Sequence, residues 1–513
     1  MQEPIGRSAL PPADVCQRVL NARDARFDGL FFVGIVTTGV YCRPVCPTRR
    51  ARSYNRRFFQ SAAAAERAGF RPCLTCRPEL APGRAPVDAI HRLAHRAAHR
   101  IGAGALNGHS VAELAAEFGV SERHLRRALE RELGVSPVEL AQTHRLLLAK
   151  RLLADTGLSV TRIAYASGFQ SLRRFNTVFH DRYRLSPSAL RRTMNRRQPA
   201  REPRRSRAGG AVAKSDLLRL TLAYRPPLAW EVLITLLRRD AFPGVEIVQG
   251  GRYGRTVRLA GRSGIVFAED AGGASGNGDR PADTHVNVDV SPSLLPALMP
   301  LLARLRRLFD LDAEPTVVDG CLAQGGLGAL IKRRPGVRIP GALDGFEVAC
   351  RVLLRGRARP NRGTNELARR FVRALGETAD TGIAELTRFA PTAGRVAEAR
   401  LSTLVAMGLP RRRASALKAL ARTVADGDLR LEPGDDVAST HRGLMEIDGI
   451  GDRLATSIVM RALGWPDAFP VPDPGLQRAS GASTPGRLRE RAESWRPWRA
   501  YAAVHLWLKD EAR

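Results

Sequence analysis

No apolar run in this 513-residue sequence approaches the roughly 20 residues that a membrane-spanning helix needs. The N-terminus also has no apolar core of the signal-peptide kind, so the chain is expected in the cytoplasm, with no membrane partner. Acidic residues are short: 50 Asp+Glu stand against 82 Lys+Arg, a formal net charge of +32. Such an imbalance suits a polyanion, because neutralised phosphates release counterions. An arginine-favouring genome composition is the alternative source of the excess. Cysteine is scarce too. There are seven, an odd number, which argues against a disulfide framework.

Four of the seven cluster as Cys42-x3-Cys46 and Cys73-x2-Cys76. Two short knuckles offering four thiolates suit tetrahedral Zn²⁺, which favours sulfur and has no ligand-field preference. Spacing alone leaves open a purely structural zinc site. Cys16, Cys321 and Cys350 stand alone and read as core residues.

The length allows three or four domains at roughly 150 residues each. After the cysteine-bearing segment 1–82, residues 86–195 turn helical and hold a loose repeat. Ser110-Val111, Leu114-Ala115 and Gly119 recur as Ser159-Val160, Ile163-Ala164 and Gly168. Each repeat predicts a helix, a glycine turn and a second helix, starting near Ser121 or Gln170. Those second helices carry Arg123, Arg126 and Arg127, or Arg173 and Arg174, while Leu125, Leu129, Phe175 and Phe179 supply core. A helix with such arginines fits the major groove. A small helical bundle without DNA is the alternative.

Residues 196–215 form a basic linker, read first as a tether. From 216 to 320 short alternating strands at 217–224, 245–249, 256–259, 265–267 and 286–290 surround a loop at 271–281 and precede an amphipathic helix at 294–309. Residues 321–513 are expected to be helical, with apolar faces at 367–375, 383–389, 396–407, 414–425 and 452–463.

Three motifs sharpen this reading. Thr37-Thr38-Gly39-Val40-Tyr41-Cys42-Arg43-Pro44-Val45-Cys46, with Ala68-Gly69-Phe70-Arg71-Pro72-Cys73-Leu74-Thr75-Cys76, resembles the N-terminal domain of the Ada alkylation-response proteins. The resemblance implies one zinc ion on Cys42, Cys46, Cys73 and Cys76, with Cys42 accepting a methyl group from DNA methylphosphotriesters. Arg43, Arg49 and Arg71 are then candidate phosphate contacts, or equally surface charge. Thr75 departs from the basic residue that relatives often carry there.

Ile163-Ala164-Tyr165-Ala166-Ser167-Gly168-Phe169, followed by Phe175, Phe179 and Leu185-Ser186-Pro187, resembles the AraC-type DNA-binding domain. That implies two helix-turn-helix units bridged by a long helix at about 137–153.

Leu444-Met445-Glu446-Ile447-Asp448-Gly449-Ile450-Gly451 has the form of a helix-hairpin-helix, whose Gly449 and Gly451 bring backbone N–H groups to a phosphate. With Phe469-Pro470-Val471-Pro472-Asp473-Pro474-Gly475-Leu476 and the aromatic set Trp495, Trp498, Tyr501 and Trp507, it resembles the AlkA-type 3-methyladenine DNA glycosylases of the helix-hairpin-helix–GPD superfamily. The resemblance makes Asp473 the catalytic carboxylate, which stabilises the oxocarbenium-like sugar as a flipped purine leaves, and places Trp507 in the base pocket. Outside that context an Asp before Pro is commonly a cap. Three positions depart: Arg453 replaces a tryptophan, Ala358 replaces a bulkier wedge within 356–360, and Pro474 follows the aspartate. No Pro-Cys-His-Arg motif marks a guanine-O6 methyltransferase.

The expected fold class is multidomain, α+β and mostly α: a four-cysteine zinc domain, two helix-turn-helix units, an α+β subdomain and a helix-hairpin-helix glycosylase domain. The expected function joins methyl transfer to Cys42, sequence-specific binding of double-stranded DNA, gene activation with RNA polymerase as partner, and excision of alkylated purines, in a bacterial cytoplasm. A zinc-stabilised transcription factor with an inactive glycosylase-like domain is the rival.

Overall fold

The computed structural model describes residues 10–48, 51–82, 93–197, 217–272, 284–355 and 362–511. Arg49, the linker from 198, loop residues 273–281 and segment 356–360 with Ala358 lie outside the described residues. Two compact units emerge: Met1–Gly210 with Asp216–Arg225 and Ser291–Ala303, and Ala211–Ser215 with Pro226–Val290 and Arg304–Arg513.

The first unit opens with α1 (Ala13–Ala22), β1 (Phe32–Ile35), β2 (Val40–Cys42), β3 (Arg56–Phe59), α2 (Ala62–Arg67) and β4 (Arg71–Pro72). The strands lie in the order β3-β1-β2-β4, antiparallel except for the β2–β4 pair. Gly34 in β1 has a packing reason. A Cβ there would stand 2.7 Å from the Phe59 ring and 2.9 Å from that of Phe70. Its absence lets the two rings close over the sheet.

Seven helices follow: α3 (Leu93–Gly102), α4 (Val111–Glu117), α5 (Glu122–Leu133), α6 (Pro137–Asp155), α7 (Val160–Ala166), α8 (Leu172–Tyr183) and α9 (Pro187–Arg197). Ser110, Ser121, Ser136, Ser159 and Ser171 each cap the helix they precede, accepting an N–H three residues on. Such a cap contributes about 1 kcal/mol. Gly119 and Gly168 turn each pair at φ +66° and +90°, and Leu125, Leu129, Phe175 and Phe179 are fully buried. The predicted repeat is therefore present in both halves, with α6 as the long helix between them.

Polar side chains bind α6 to the cysteine-bearing domain within this unit. Thr143 donates to Glu66 at 2.8 Å, and Lys150, fully buried, donates to Glu79 at 2.6 Å and to the Cys73 carbonyl at 2.9 Å. Strand β5 (Leu218–Ala223) joins the unit through Arg151, which donates to the Thr221 carbonyl, while Arg225 donates to the Asp28 carbonyl at 3.1 Å.

In the second unit α10 (Trp230–Arg239) precedes an antiparallel ladder of β6 (Glu246–Gln249), β7 (Arg252–Leu259), β8 (Arg262–Asp270) and β9 (His285–Val290). The strands match the sequence expectation, with β7 and β8 longer. Helix α11 (Leu298–Leu308), which begins in the first unit, is shorter than the expected 294–309, because Pro292 and Pro296 hold 292–297 in a 3₁₀ turn.

The remaining helices are α12 (Pro315–Leu322), α13 (Gly328–Arg333), α14 (Gly345–Arg355), α15 (Arg362–Leu375), α16 (Ala393–Glu398), α17 (Leu401–Ala406), α18 (Arg411–Ala425), α19 (Val437–Met445), α20 (Asp452–Ala462), α21 (Pro474–Ser480), α22 (Pro485–Ala492) and α23 (Arg499–Glu511). Two expectations change here. Segment 383–389 is no helix: Thr381 Oγ1 accepts from Ile383 N at 3.2 Å and donates to the Leu386 carbonyl at 2.6 Å, fixing a turn, and Arg388 bridges to Thr378. Segment 396–407 is two helices, broken where Ala399 and Arg400 leave helical geometry.

Candidate functional sites

Cys42 ends β2, and the chain turns at Arg43–Val45 to bring back Cys46. The parallel β2–β4 pairing carries the other knuckle alongside, with Cys73 N–H donating to the Tyr41 carbonyl at 2.9 Å. All four sulfurs then lie within 4.8 Å of one another and are buried. Thiols so placed perturb each other. Contact with Cys42 holds Cys46 down, to about 6, and Cys73 lower still. Cys46 pushes Cys42 up, and Cys42 pushes Cys76 up. Four buried, mutually coupled sulfurs fit one tetrahedral dication, which removes the competition for protons by binding all four as thiolates. This is a site for one Zn²⁺.

The sulfurs differ in their neighbours. Cys76 Sγ accepts Arg43 N–H at 3.3 Å, Cys73 Sγ accepts Thr75 N–H at 3.3 Å, and Cys46 Sγ lies 3.1 Å from Thr48 Oγ1. Among the described residues no backbone N–H or hydroxyl bonds Cys42 Sγ.

Arg43 is not the solvated surface charge that its position also allowed. Its guanidinium forms a buried ion pair with Asp28 and donates to the Cys76 carbonyl at 3.1 Å, so it braces both knuckles from inside. Arg71 is exposed on β4. Near the site, burial raises the Glu79 carboxyl, but Lys150 and Arg77 outweigh it and hold Glu79 below the ordinary carboxylate range. Sequence reading missed this ionic cluster.

On the helix-turn-helix units, Arg123, Arg173 and Arg174 are exposed at the starts of α5 and α8. Arg126 is half-buried and engaged with Glu122 one turn back at 2.5 Å.

In the second unit, α19 and α20 enclose the Gly449–Gly451 turn. Gly449 has φ +91°, and a Cβ there would lie 3.0 Å from that of Ala416; Gly451 caps α20 and is exposed. Asp473 caps α21, its Oδ1 accepting from Leu476 N–H at 3.0 Å. Trp507, half-buried on α23, donates its indole N–H to the same oxygen at 3.2 Å. The two residues singled out by motif thus meet. The other aromatics bond elsewhere: Trp495 donates to the Gly325 carbonyl at 2.9 Å, Tyr501 donates to Asp310 at 2.7 Å, and Trp498 is buried with its ring edge-on to Tyr501. Arg453 is half-buried in the first turn of α20.

A tetrathiolate zinc domain, paired helix-turn-helix units and a helix-hairpin-helix unit with an Asp–Trp contact define a multidomain protein of the DNA-repair and gene-control class. Family models agree: the metal binding domain of Ada matches 15–79, a helix-turn-helix domain 114–193, and the AlkA N-terminal domain 219–344. A Mycobacterium tuberculosis protein described as a probable bifunctional transcriptional activator/DNA repair enzyme AlkA is 36% identical over 96% of this chain and 95% of its own length. The DNA-3-methyladenine glycosylase 2 of Escherichia coli is 33% identical over 56% of this chain and 96% of its own. The regulatory protein Ada of Salmonella typhimurium is 36% identical over 32% of this chain and 44% of its own. The chain belongs to the family of bifunctional Ada/AlkA transcriptional activator and DNA repair enzymes. Among the described residues no helix is long and apolar enough to cross a membrane.

Proposed function

We propose that the chain removes alkyl damage from double-stranded DNA by two chemistries and reports that damage to promoters. The arrangement of four buried sulfurs within 4.8 Å carries the first part of this reading. Zinc on this quartet keeps the sulfurs ionised at neutral pH. Cys42 Sγ attacks the methyl carbon of a DNA methylphosphotriester. An S–C bond forms, the methyl C–O bond breaks, and the phosphodiester leaves with the electron pair. Cys42 is favoured over the other three because hydrogen bonds to their sulfurs dampen nucleophilicity, and none of those falls on Cys42. A methyl thioether is stable in water at neutral pH, so each molecule acts once. The cluster charge drops from −2 to −1, which weakens its repulsion of the DNA backbone and strengthens promoter binding.

Arg123, Arg173 and Arg174 suit major-groove or phosphate contacts, with Arg126 beside them, Arg71 suits the backbone near Cys42, and Arg49 is a phosphate contact by its place in the sequence alone. As an activator the protein engages RNA polymerase at the promoter, in a bacterial cytoplasm that keeps thiols reduced. Asp473 stabilises the sugar cation as an alkylated purine leaves, Trp507 walls the pocket, and Gly449 and Gly451 hold the phosphate. We divide these roles among residues 1–82, 86–195, the linker 196–215, 216–320 and 321–513.

The test is one duplex carrying a labelled methylphosphotriester and a labelled 3-methyladenine. Wild type is expected to take up one backbone methyl and to release free base. Cys42→Ser should lose only the former and Asp473→Asn only the latter. Label transfer to Cys42→Ser, or equal base release by Asp473→Asn and wild type, would refute the corresponding assignment.

A further inference from the structure

Asp473 and Trp507 are joined by more than their own hydrogen bond. Arg478, on the last turn of α21, donates Nε to Asp510 Oδ1 at 3.0 Å and Nη2 to Oδ2 at 2.8 Å. Asp510 is buried and stands three residues beyond Trp507 on α23, one helical turn away. Lys509 Nζ adds a bond to the Ala479 carbonyl at 2.8 Å. The helix bearing the catalytic carboxylate is therefore fastened to the helix bearing the indole by a bidentate ion pair.

Gly475 shows how close the groups come. A Cβ on it would lie 3.1 Å from Asp473 Oδ1, 3.2 Å from Asp510 Oδ2 and 3.6 Å from Trp507 Cδ1. Two carboxylates thus share one small space, and a guanidinium bound to the second is within reach of the first. The charged form of Arg478 is favoured first by its bond to Asp510, and the field of Asp473 adds to that. Arg478 is half-exposed on a flexible stem, so it can turn towards either carboxylate once the other is neutral.

We propose that Asp510 is a positioning residue for base excision: its bidentate grip keeps the Arg478 guanidinium off Asp473. This rests on the glycosylase reading above. Both described bonds to the Asp473 carboxylate fall on Oδ1, which leaves Oδ2 to face the developing sugar cation. An Arg478–Asp473 pair would occupy that oxygen and cancel the charge the cation needs. Asp510 prevents the pair by offering Arg478 a better-buried partner.

The experiment uses the full zinc-loaded chain in four forms: wild type, Asp510→Asn, Arg478→Gln and the double variant. Two readouts are taken, single-turnover release of 3-methyladenine and the indole N–H resonance of Trp507, which senses Asp473 directly. Asp510→Asn should lose at least tenfold in rate and shift the Trp507 resonance. Removing the competing guanidinium in the double variant should restore the rate to within threefold of wild type and return the resonance. Arg478→Gln alone should stay within threefold of wild type. A double variant as slow and as shifted as Asp510→Asn, or a tenfold loss in Arg478→Gln alone, overturns the proposal. A wild type that releases no base overturns the glycosylase reading. In that case the Trp507 resonance still decides the positioning claim: a shift in Asp510→Asn reversed in the double variant upholds it, and no shift refutes it.

Discussion

The indole N–H of Trp507 and Oδ1 of Asp473 are 3.2 Å apart, and the same oxygen holds the Leu476 N–H that starts α21. One carboxylate oxygen is thereby fixed by two donors from different helices, which orients the other. A hydrogen bond to a charged group is worth about 1.5–3 kcal/mol. Trp507→Phe keeps an aromatic wall and deletes the donor. Excision of 3-methyladenine should fall roughly 10- to 100-fold, mainly in kcat, as measured by single-turnover base release.

Arg43 acts inside the zinc domain. Removing one member of a buried ion pair costs about 3–5 kcal/mol, because the other charge stays buried alone. Arg43→Gln should therefore release zinc to a chelator faster than wild type. The salt dependence of its DNA binding should be unchanged. A reduced salt slope with normal zinc retention would return Arg43 to the DNA surface.

The exposed arginines of the helix-turn-helix units behave oppositely. Arg123→Gln, Arg173→Gln and Arg174→Gln should leave stability within about 0.5 kcal/mol. Each should flatten the slope of log affinity against log salt by about 1 for a promoter duplex. Filter binding or anisotropy across a salt series measures this.

Burial pushes the Asp310 carboxyl up to about 6 from an ordinary 3.8, against the opposing pull of Arg338 and the Tyr501 hydroxyl. Between those values the folded state holds a proton that the unfolded state has released. Stability from this group is thus greatest below about pH 4 and falls as pH rises to about 6, by roughly 2 kcal/mol. Asp310→Asn removes the dependence, so the stability difference between wild type and variant should shift in the variant's favour by that amount from pH 4 to pH 7. All five tryptophans lie in the second unit, so their fluorescence during denaturant unfolding follows that unit alone.

What could be read from sequence was local. Cys42 with Cys46 and Cys73 with Cys76 are each a few residues apart, and the turns at Gly119 and Gly168 sit between the helices they join. Asp473 and Trp507 were legible through motifs, although 34 residues separate them. What escaped depends on distant partners. Lys150 finds Glu79 71 positions away, and Arg43 finds Asp28 15 positions upstream, so Arg43 looked like surface charge. Segment 383–389 has helical apolar spacing, but a threonine two residues ahead captures its backbone, which hydropathy does not register. Arg478 and Asp510 lie near Asp473 and Trp507 in sequence, yet only the packing of α21 on α23 turns that nearness into a pair.

Everything proposed for the first unit turns on one sulfur of a zinc-held quartet taking a methyl group from the DNA backbone. Peptide-resolved mass spectrometry of zinc-loaded protein, after exposure to a duplex with a single methylphosphotriester, addresses it directly. One added methyl is expected, confined to Cys42, with the zinc retained. An unmodified protein, or methyl groups on Cys46, Cys73 or Cys76 in place of Cys42, would contradict it.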